Sequence, residues 1–140
     1  MTATDRPRVS LEELRAFFAK DFPQATVTIE DVGAGRARVR QAVTEAELRP
    51  GGTVSGPTMM AVADAASYAA VLSVLGLVPL AVTTSLNINF LRRPSAQAAI
   101  IGEATLLKVG RRLIVAEIRI TSEGDDAPVA HATTTYATTT

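Results

Sequence analysis

The sequence of 140 residues contains no cysteine and a single histidine, His131. The absence of cysteine excludes disulfides, thiolate catalysis and zinc sites built on cysteine. One histidine without cysteine also argues against a zinc site made by this chain, so we expect no bound metal. A Ser-His-Asp triad would have to use His131, and the G-x-S-x-G turn that presents a hydrolase serine is missing.

Neither sign of charge is in excess, because 14 lysines and arginines balance 14 aspartates and glutamates. A neutral chain has no general attraction to nucleic acid or to an anionic membrane surface. The N-terminal residues 1–8 lack the apolar core of a signal peptide. We therefore expect a cytoplasmic protein with neither a nucleic-acid partner nor a membrane partner.

Only one long apolar stretch is present, residues 65–82, and Gly76 and Pro79 interrupt it. A membrane-spanning helix needs about 20 mostly apolar residues in succession. The interrupted stretch therefore predicts a core helix that ends near Gly76 and is followed by a turn and a strand.

Asp64 is the only charged residue between Pro50 and Leu91. Its neighbours are small or apolar and predict a buried helix, where an unpaired carboxylate costs several kcal/mol. A carboxylate kept in such a place is a candidate catalytic group. The alternative is an aspartate on a turn of the helix that faces solvent.

We predict one α+β domain over residues 1–140, in which an antiparallel sheet wraps around one long central helix. Residues 1–9 are expected to form a flexible tail. Residues 10–21 should form a helix that is capped by Ser10 and Glu13. The core, residues 25–138, is expected to contain strands at 25–31 and 36–43, the central helix at 57–75, and strands at about 80–91, 97–109, 112–123 and 127–137.

The central helix is expected to begin after a glycine-rich loop. Pro57 suits the first helical position, and either Ser55 or Gly56 can serve as the N-cap. The helix is apolar nearly all round, which indicates that it is enclosed by other elements.

Four short motifs in this order resemble the hotdog-fold acyl-CoA thioesterases of the phenylacetate-degradation (PaaI-like) type. Ser55-Gly56-Pro57 stands where that family has His-Gly-Gly, and Asp64 follows nine residues after the first of these positions, as the family's catalytic acid does. The strand Thr83–Pro94 carries the family's asparagine, aromatic and proline. A Lys-Val-Gly-Arg turn at 108–111 and the last strand, 129–136, complete the resemblance, which covers residues 25–138.

The resemblance implies the hotdog fold and the hydrolysis of an acyl-CoA thioester to free acid and coenzyme A (CoA), without a cofactor. Asp64 would act as general base or as nucleophile. The amide of Gly56 would stabilise the oxyanion. Thr83, with Thr84 and Ser85 as alternatives, would orient the attacking water from across a dimer interface, so that Asp64 and Thr83 would come from different subunits of a homodimer or homotetramer.

Substrate contacts are expected from three further groups of residues. Ser55 would take the place of the family's histidine. Asn87 and Asn89 share one face of their strand and are candidates for a cleft. Five cations suit the phosphates of CoA, although each one could instead be a solvated turn residue: Arg92, Arg93, Lys108, Arg111 and Arg112.

Two other functions remain open from the sequence. The replaced histidine and the proline favour a non-catalytic acyl-CoA or fatty-acyl binding protein on the same fold. A hotdog dehydratase is less well supported, because no histidine accompanies Asp64 in its motif. The small residues Ala61, Ala65 and Ala66 would leave room for a medium-chain or aromatic acyl group beside Asp64.

Overall fold

The computed structural model describes residues 6–138. A long central helix, α2, is preceded by one short helix and followed by four long strands. In chain order the elements are α1 (Leu11–Asp21), β1 (Thr28–Gly33), β2 (Arg36–Gln41), a 3-10 turn (Glu45–Glu47), β3 (Leu48–Arg49), β4 (Thr53–Val54), α2 (Gly56–Leu75), β5 (Val82–Phe90), β6 (Ile100–Val109), β7 (Leu113–Ser122) and β8 (Pro128–Ala137).

Six of the strands form one antiparallel sheet in the order β1-β2-β6-β7-β8-β5. The inner face of this sheet packs on α2, so the predicted α+β architecture is present. The sheet places β5, which follows α2 in the chain, beside β8, which ends the domain. The pairing of β5 with β8 brings residues that are far apart in sequence to one side of α2.

Helix α2 begins at Gly56, one residue earlier than expected, so Pro57 is its second residue, and it ends at Leu75 as the sequence predicts. Ser55 is the N-cap, with its Oγ accepting the Thr58 amide at 3.2 Å, and Gly76 ends the helix with a φ of 85°. The helix is long and apolar enough to cross a membrane by length and composition alone, but 67% of its most apolar window is buried inside this domain. The apolar surface of α2 is therefore used by the sheet and by α1.

Three local expectations need correction. The proposed tail does not extend to residue 9, because Val9 is buried and the Arg8 amide donates to the Ser73 carbonyl at 2.7 Å. Residues 1–5 of that tail lie outside the described residues. The first strand begins three residues later than expected. The glycine-rich loop contains a small hairpin, β3–β4. Its two-residue strands are too short to show a recognisable pattern in the sequence.

The outer face of the sheet is charged. Arg36 and Arg40 lie there with acidic partners, Asp31 at 3.3 Å and Glu123 at 3.0 Å. These pairs are exposed and contribute little to stability. The arginines of β2 thus form the solvated face that their alternation with apolar residues indicates.

The two edges of the sheet differ. The β1 edge is shielded by α1, whose Arg15 side chain donates to the Ile29 carbonyl at 2.8 Å, and its pairing is interrupted between Ile29 and Asp31. The β5 edge is nine residues long and is not paired with another strand among the described residues. A long open edge is a template for pairing with another chain.

The core tolerates no side chain at Gly102, where β6 crosses α2. A Cβ there would lie 2.7 Å from Cγ1 of Val62, which is fully buried. We predict that Gly102→Ala lowers the free energy of unfolding by about 1–3 kcal/mol, measured by urea denaturation, because overpacking strains the core. Val62→Ala makes room for the new methyl group, so the double variant should be destabilised by less than the sum of the two single changes. Strictly additive losses would contradict this packing.

Candidate functional site

The Asp64 carboxylate is held by two hydroxyl groups of the same chain. Thr83 Oγ1 donates to Asp64 Oδ1 at 2.5 Å, and the Tyr136 hydroxyl donates to the same oxygen at 2.8 Å. The Tyr136 hydroxyl also lies 3.1 Å from the Asp64 carbonyl oxygen. Asp64 is half-buried, so it is neither an unpaired core charge nor a fully solvated one.

The strand register explains why both hydroxyls reach the same carboxylate. Thr83 of β5 and Tyr136 of β8 are direct cross-strand partners, and both face the helix. One turn further along α2, Thr134 donates to the Ser67 hydroxyl at 2.8 Å, and Ser67 donates to the Ala63 carbonyl. The helix is therefore joined to β8 by two polar contacts in succession.

The aromatic groups beside Asp64 are neutral. Burial raises the pKa of the Tyr136 hydroxyl far above its usual range, and the negative charge of Asp64 raises it further. Burial also raises the pKa of Tyr68, with a smaller contribution from Asp21. The two tyrosine rings are stacked, with centroids 5.9 Å apart. Tyr136 thus remains protonated, and able to donate, throughout the physiological pH range.

A surface pocket of about 370 Å³ lies in front of this carboxylate. Its walls are mainly apolar or aromatic, with one further carboxylate, Asp21. The lining residues are Asp21, Phe22, Asp64, Tyr68, Pro79, Ala81, Val82, Thr83 and Tyr136. An apolar group of modest size fits beside the Asp64 carboxylate.

The expectation that Asp64 and Thr83 come from different subunits is wrong. The two side chains are hydrogen-bonded within one chain, because β5 returns alongside α2 and begins at the level of Asp64. Sequence reasoning identified both residues but not their connection, which depends on the path of the chain after Gly76.

The N-terminus of α2 presents one amide that has no acceptor among the described residues. A helix begins with backbone amides that have no acceptor within the helix. Here the Ser55 amide donates to the Glu47 carbonyl, Pro57 has no amide hydrogen, and the Thr58 amide donates to Ser55. The Gly56 amide remains, and the ring of Phe90, at the end of β5, packs over this glycine. The Ser55 hydroxyl is already engaged as a cap and also contacts the Thr58 hydroxyl at 2.7 Å.

Gly56 and Asp64 of one chain are too far apart to act on one carbonyl group. Asp64 follows Gly56 by eight residues in the same helix. At 1.5 Å per residue, the two positions are separated by about 12 Å along the axis. A thioester carbonyl that is bound to the Gly56 amide therefore lies out of reach of Asp64 in the same chain.

The five predicted cations do not form one cluster. Arg92 and Arg93 lie beyond the end of β5 and line a pocket of about 420 Å³ together with Arg49, Phe90 and the β3–β4 loop. A different pocket, of about 480 Å³, is lined by the others: Lys108, Arg111 and Arg112 of the β6–β7 turn.

The sheet register places the two groups at opposite ends of the domain. Val109, beside the β6–β7 turn, pairs with Ile114, which pairs with Tyr136 at the Asp64 end. The Arg92 amide, by contrast, donates to the Val129 carbonyl, at the Gly56 end.

Asn87 and Asn89 share one face of β5, but it is the outer face. They pair with Thr133 and His131, whose neighbours on β8 face the helix instead. The asparagines are therefore on the opposite side of the sheet from Asp64 of their own chain. His131 lies beside them with Nε2 2.9 Å from Oε1 of Glu117, as a surface histidine with an acidic neighbour.

Sequence reasoning missed Tyr136 and Arg49. Tyr136 stands in a threonine-rich strand and gives no signal of its own, although the alternation of β8 would have placed it on the same face as Thr134. Arg49 lies in the loop that was expected to be merely a connection. Within residues 6–138, no group of three or more acidic, histidine or cysteine side chains is arranged to hold a metal ion.

The profile of the Thioesterase superfamily matches residues 51–129 of this chain. No curated protein matches this chain. Among solved structures, a candidate thioesterase from Silicibacter sp. TM1040 is 42% identical, with 96% of this chain and 95% of that chain covered and a TM-score of 0.87.

Two further solved structures are more distant. A mutant of the phenylacetic acid degradation protein PaaI from Thermus thermophilus is 25% identical, over 84% of this chain and 97% of that chain, with a TM-score of 0.73. A hypothetical thioesterase with coenzyme A from Streptococcus pneumoniae TIGR4 is 26% identical, over 87% and 94%, with a TM-score of 0.77. With a profile match over more than half of its length and a sheet wrapped around α2, the chain belongs to the Thioesterase superfamily and has the hotdog fold.

Proposed function

We propose that this protein hydrolyses acyl-CoA thioesters, with the Asp64 carboxylate as the reacting group. The observation that carries the proposal is the carboxylate held by Thr83 and Tyr136 at an apolar pocket, in a chain of the Thioesterase superfamily. The coenzyme A bound to the relative from Streptococcus pneumoniae supports the choice of thiol.

The geometry of the carboxylate leaves one oxygen for chemistry. Oδ1 accepts both hydroxyl groups, whereas Oδ2 accepts no hydrogen bond from the described residues. As a general base, Oδ2 would take a proton from water while the water oxygen bonds to the thioester carbon. As a nucleophile, it would bond to that carbon directly and form an anhydride, which water then hydrolyses. In both routes the carbon–sulfur bond breaks and the CoA sulfur leaves as a thiolate that is then protonated.

The oxyanion donor in this proposal is the Gly56 amide of a second subunit. Within one chain that amide is about 12 Å from Asp64 along α2, whereas a developing oxyanion needs a donor at about 3 Å. A complete site therefore requires two copies of the chain, arranged so that the start of one α2 approaches the middle of the other.

The open edge of β5 supplies such an arrangement. Two copies of β5 that pair antiparallel about a two-fold axis near Leu86 place Val82 opposite the partner's Phe90. Thr83 and Asp64 lie at one end of β5, and Phe90 packs over Gly56 at the other. The pairing therefore brings Asp64 of one subunit towards the partner subunit's Gly56, twice per dimer.

The proposed β5–β5 pairing also brings the two cationic groups, from different subunits, to the same site. The β6–β7 turn, with Lys108, Arg111 and Arg112, lies at the Asp64 end of its own chain. In the proposed dimer, the partner's Arg92 and Arg93 approach the same Asp64 from the opposite side of the pocket. Arginine forks bind phosphate oxygens in pairs and suit the diphosphate and 3′-phosphate of CoA. The two groups of cations, which line separate pockets of one chain, thus flank one site in the proposed dimer.

We predict that wild-type protein releases free CoA from acyl-CoA and that Asp64→Asn lowers kcat at least about a hundredfold, because the amide accepts no proton. The assay measures free thiol with short, medium, long and aryl acyl-CoAs. Asp21→Asn, which removes the other carboxylate of the same pocket, is the matched control and should retain most activity.

Two outcomes would count against the proposal. Equal rates of CoA release by wild type and Asp64→Asn would show that Asp64 is not the reacting group. Tight binding of acyl-CoA with no release of CoA by wild type would instead favour the non-catalytic binding protein, for which the Ser55-Gly56-Pro57 sequence is the main support.

The division of the site between subunits is tested by mixing two impaired variants. The double variant Arg92→Ala/Arg93→Ala should raise KM about tenfold or more, because two charge-assisted contacts to phosphate are lost. The double variant Arg36→Ala/Arg40→Ala removes the same charge from the outer face and is the control for net charge. At low substrate concentration, the Arg92/Arg93 double variant alone should retain about a tenth of the wild-type rate or less, and Asp64→Asn alone about a hundredth or less.

Heterodimers of these two variants contain one site in which every contributing residue is wild type. Mixing under conditions that exchange subunits should therefore restore up to half of the wild-type rate in each heterodimer. Heterodimers of Asp64→Asn with Thr83→Val should recover nothing, because both residues belong to the same half of the site. Recovery in the second mixture but not the first would show that the halves are assigned incorrectly.

A further inference from the structure

Tyr136 is the least exposed of the polar groups around the Asp64 carboxylate. Its side chain is 2% exposed, and its hydroxyl donates to Asp64 Oδ1 while lying against the Asp64 carbonyl. The Thr83 hydroxyl donates to the same carboxylate oxygen. A carboxylate oxygen has two lone pairs, so these two donors fill the hydrogen-bonding capacity of Oδ1.

The two donors are supported very differently by the fold. Tyr136 lies on β8, which is hydrogen-bonded to β7 on one side and to β5 on the other. Its ring is fixed by stacking on Tyr68 of α2, the residue one helical turn after Asp64. Thr83 is more exposed than Tyr136 and lies on β5 next to an irregularity in its pairing with β8, between Thr83 and Ser85. Tyr136 is thus the rigid donor and Thr83 the more adaptable one.

We propose that Tyr136 is the positioning residue of the Asp64 carboxylate. By donating to Oδ1, the Tyr136 hydroxyl keeps the carboxylate in one rotamer with Oδ2 free for the substrate. This leaves the Thr83 hydroxyl able to turn from Asp64 to a water molecule during the reaction. The inference rests on the proposed thioester hydrolysis and adds a residue to that site.

The chemistry of a phenol suits this role. Because burial raises the pKa of Tyr136 far above its usual range, the group neither loses its proton at working pH nor competes with Asp64 as a base. Catalytic carboxylates act well only when neighbouring groups hold them within a fraction of an ångström of the productive geometry. A hydroxyl on a buried ring that stacks on Tyr68 meets that requirement better than one beside an irregularity in the strand pairing.

Few polar groups face Asp64 from the neighbouring elements. Tyr136 faces it from β8, Thr83 from β5 and Tyr68 from its own helix. Asp21, at the end of α1, lines the same pocket and is the only other group with a formal charge among the residues that line it. Measuring Tyr136→Phe in the Asp21→Asn background as well as in wild type therefore separates the loss of the Tyr136 donor from an effect of the Asp21 charge.

The test compares Tyr136→Phe with a matched change two residues away. Phenylalanine keeps the ring that stacks on Tyr68 and removes only the donor. Thr134→Val removes a hydroxyl from the same face of β8 that joins the strand to Ser67 of α2, without touching Asp64. A purely structural role for Tyr136 would make the two variants behave alike.

We expect Tyr136→Phe to lower kcat about tenfold or more while KM changes by less than about twofold, because misplacing a reacting group by 1 Å can cost a hundredfold. Thr134→Val should keep the wild-type kcat, because it leaves both donors to Asp64 in place. Wild-type kcat in Tyr136→Phe, or equal losses of kcat in the two variants, would overturn the inference.

A second readout does not depend on turnover. A crystal structure of Tyr136→Phe should show the Asp64 side chain moved to another rotamer or divided between two, whereas Thr134→Val should keep the wild-type rotamer. If wild type releases no CoA, the proposed function fails, and this comparison still decides whether Tyr136 holds the carboxylate. An Asp64 rotamer in Tyr136→Phe that is unchanged from wild type contradicts the inference whether or not the protein is an active thioesterase.

Discussion

The structure depends on how one nearly apolar helix is fixed inside a sheet that touches most of its surface. Apolar packing holds α2 in place but does not by itself choose its rotation or its position along the strands. Two polar contacts make that choice: Asp64 with Thr83 and Tyr136, and Ser67 with Thr134. Leaving any of these groups unpaired in the core costs about 1–3 kcal/mol, so a slipped or rotated helix is disfavoured. The contacts of Asp64 with Thr83 and Tyr136 thus help to specify the fold and also position the carboxylate on which the proposed activity depends.

A second constraint follows from the length of the helix. The Gly56 amide at its start and the Asp64 carboxylate in its middle are separated by about two turns, so the two groups of one chain cannot act on the same carbonyl group. The β5 edge, which runs between these two groups, is also the edge that the domain leaves open among the residues described. In the proposed dimer, pairing of this edge with a second copy brings the Gly56 amide of one chain towards the Asp64 carboxylate of the other.

The sequence predicts the architecture and the central carboxylate well, because both leave local signals. A solitary charge in an apolar helix marks Asp64, and capping residues mark the ends of α1 and α2. What the sequence could not supply is the registration between distant elements. The pairing of Thr83 with Tyr136 depends on the order of strands in the sheet. Because of this pairing, Asp64 and Thr83 of the same chain contact each other.

The missing registration between distant elements also explains why the sequence did not show that the five cations lie in two separate pockets. Arg92 and Lys108 are separated by a short stretch of sequence, yet β6 carries the chain across the sheet between them. Val9 was assigned to a tail because nothing near it in the sequence shows that α1 and α2 form a surface for it. Contacts made between elements carry no local pattern, so they appear only when the sheet is assembled.

The most direct measurement is a crystal structure with an acyl-CoA analogue in which a methylene group replaces the thioester sulfur. The account predicts that the ketone carbon lies beside Asp64 of one subunit while the ketone oxygen accepts the amide of the partner subunit's Gly56 at about 3 Å. The acyl group should fill the pocket formed by Phe22, Tyr68 and Val82. A ketone bound away from Asp64, or one bound wholly within a single chain, would contradict the account.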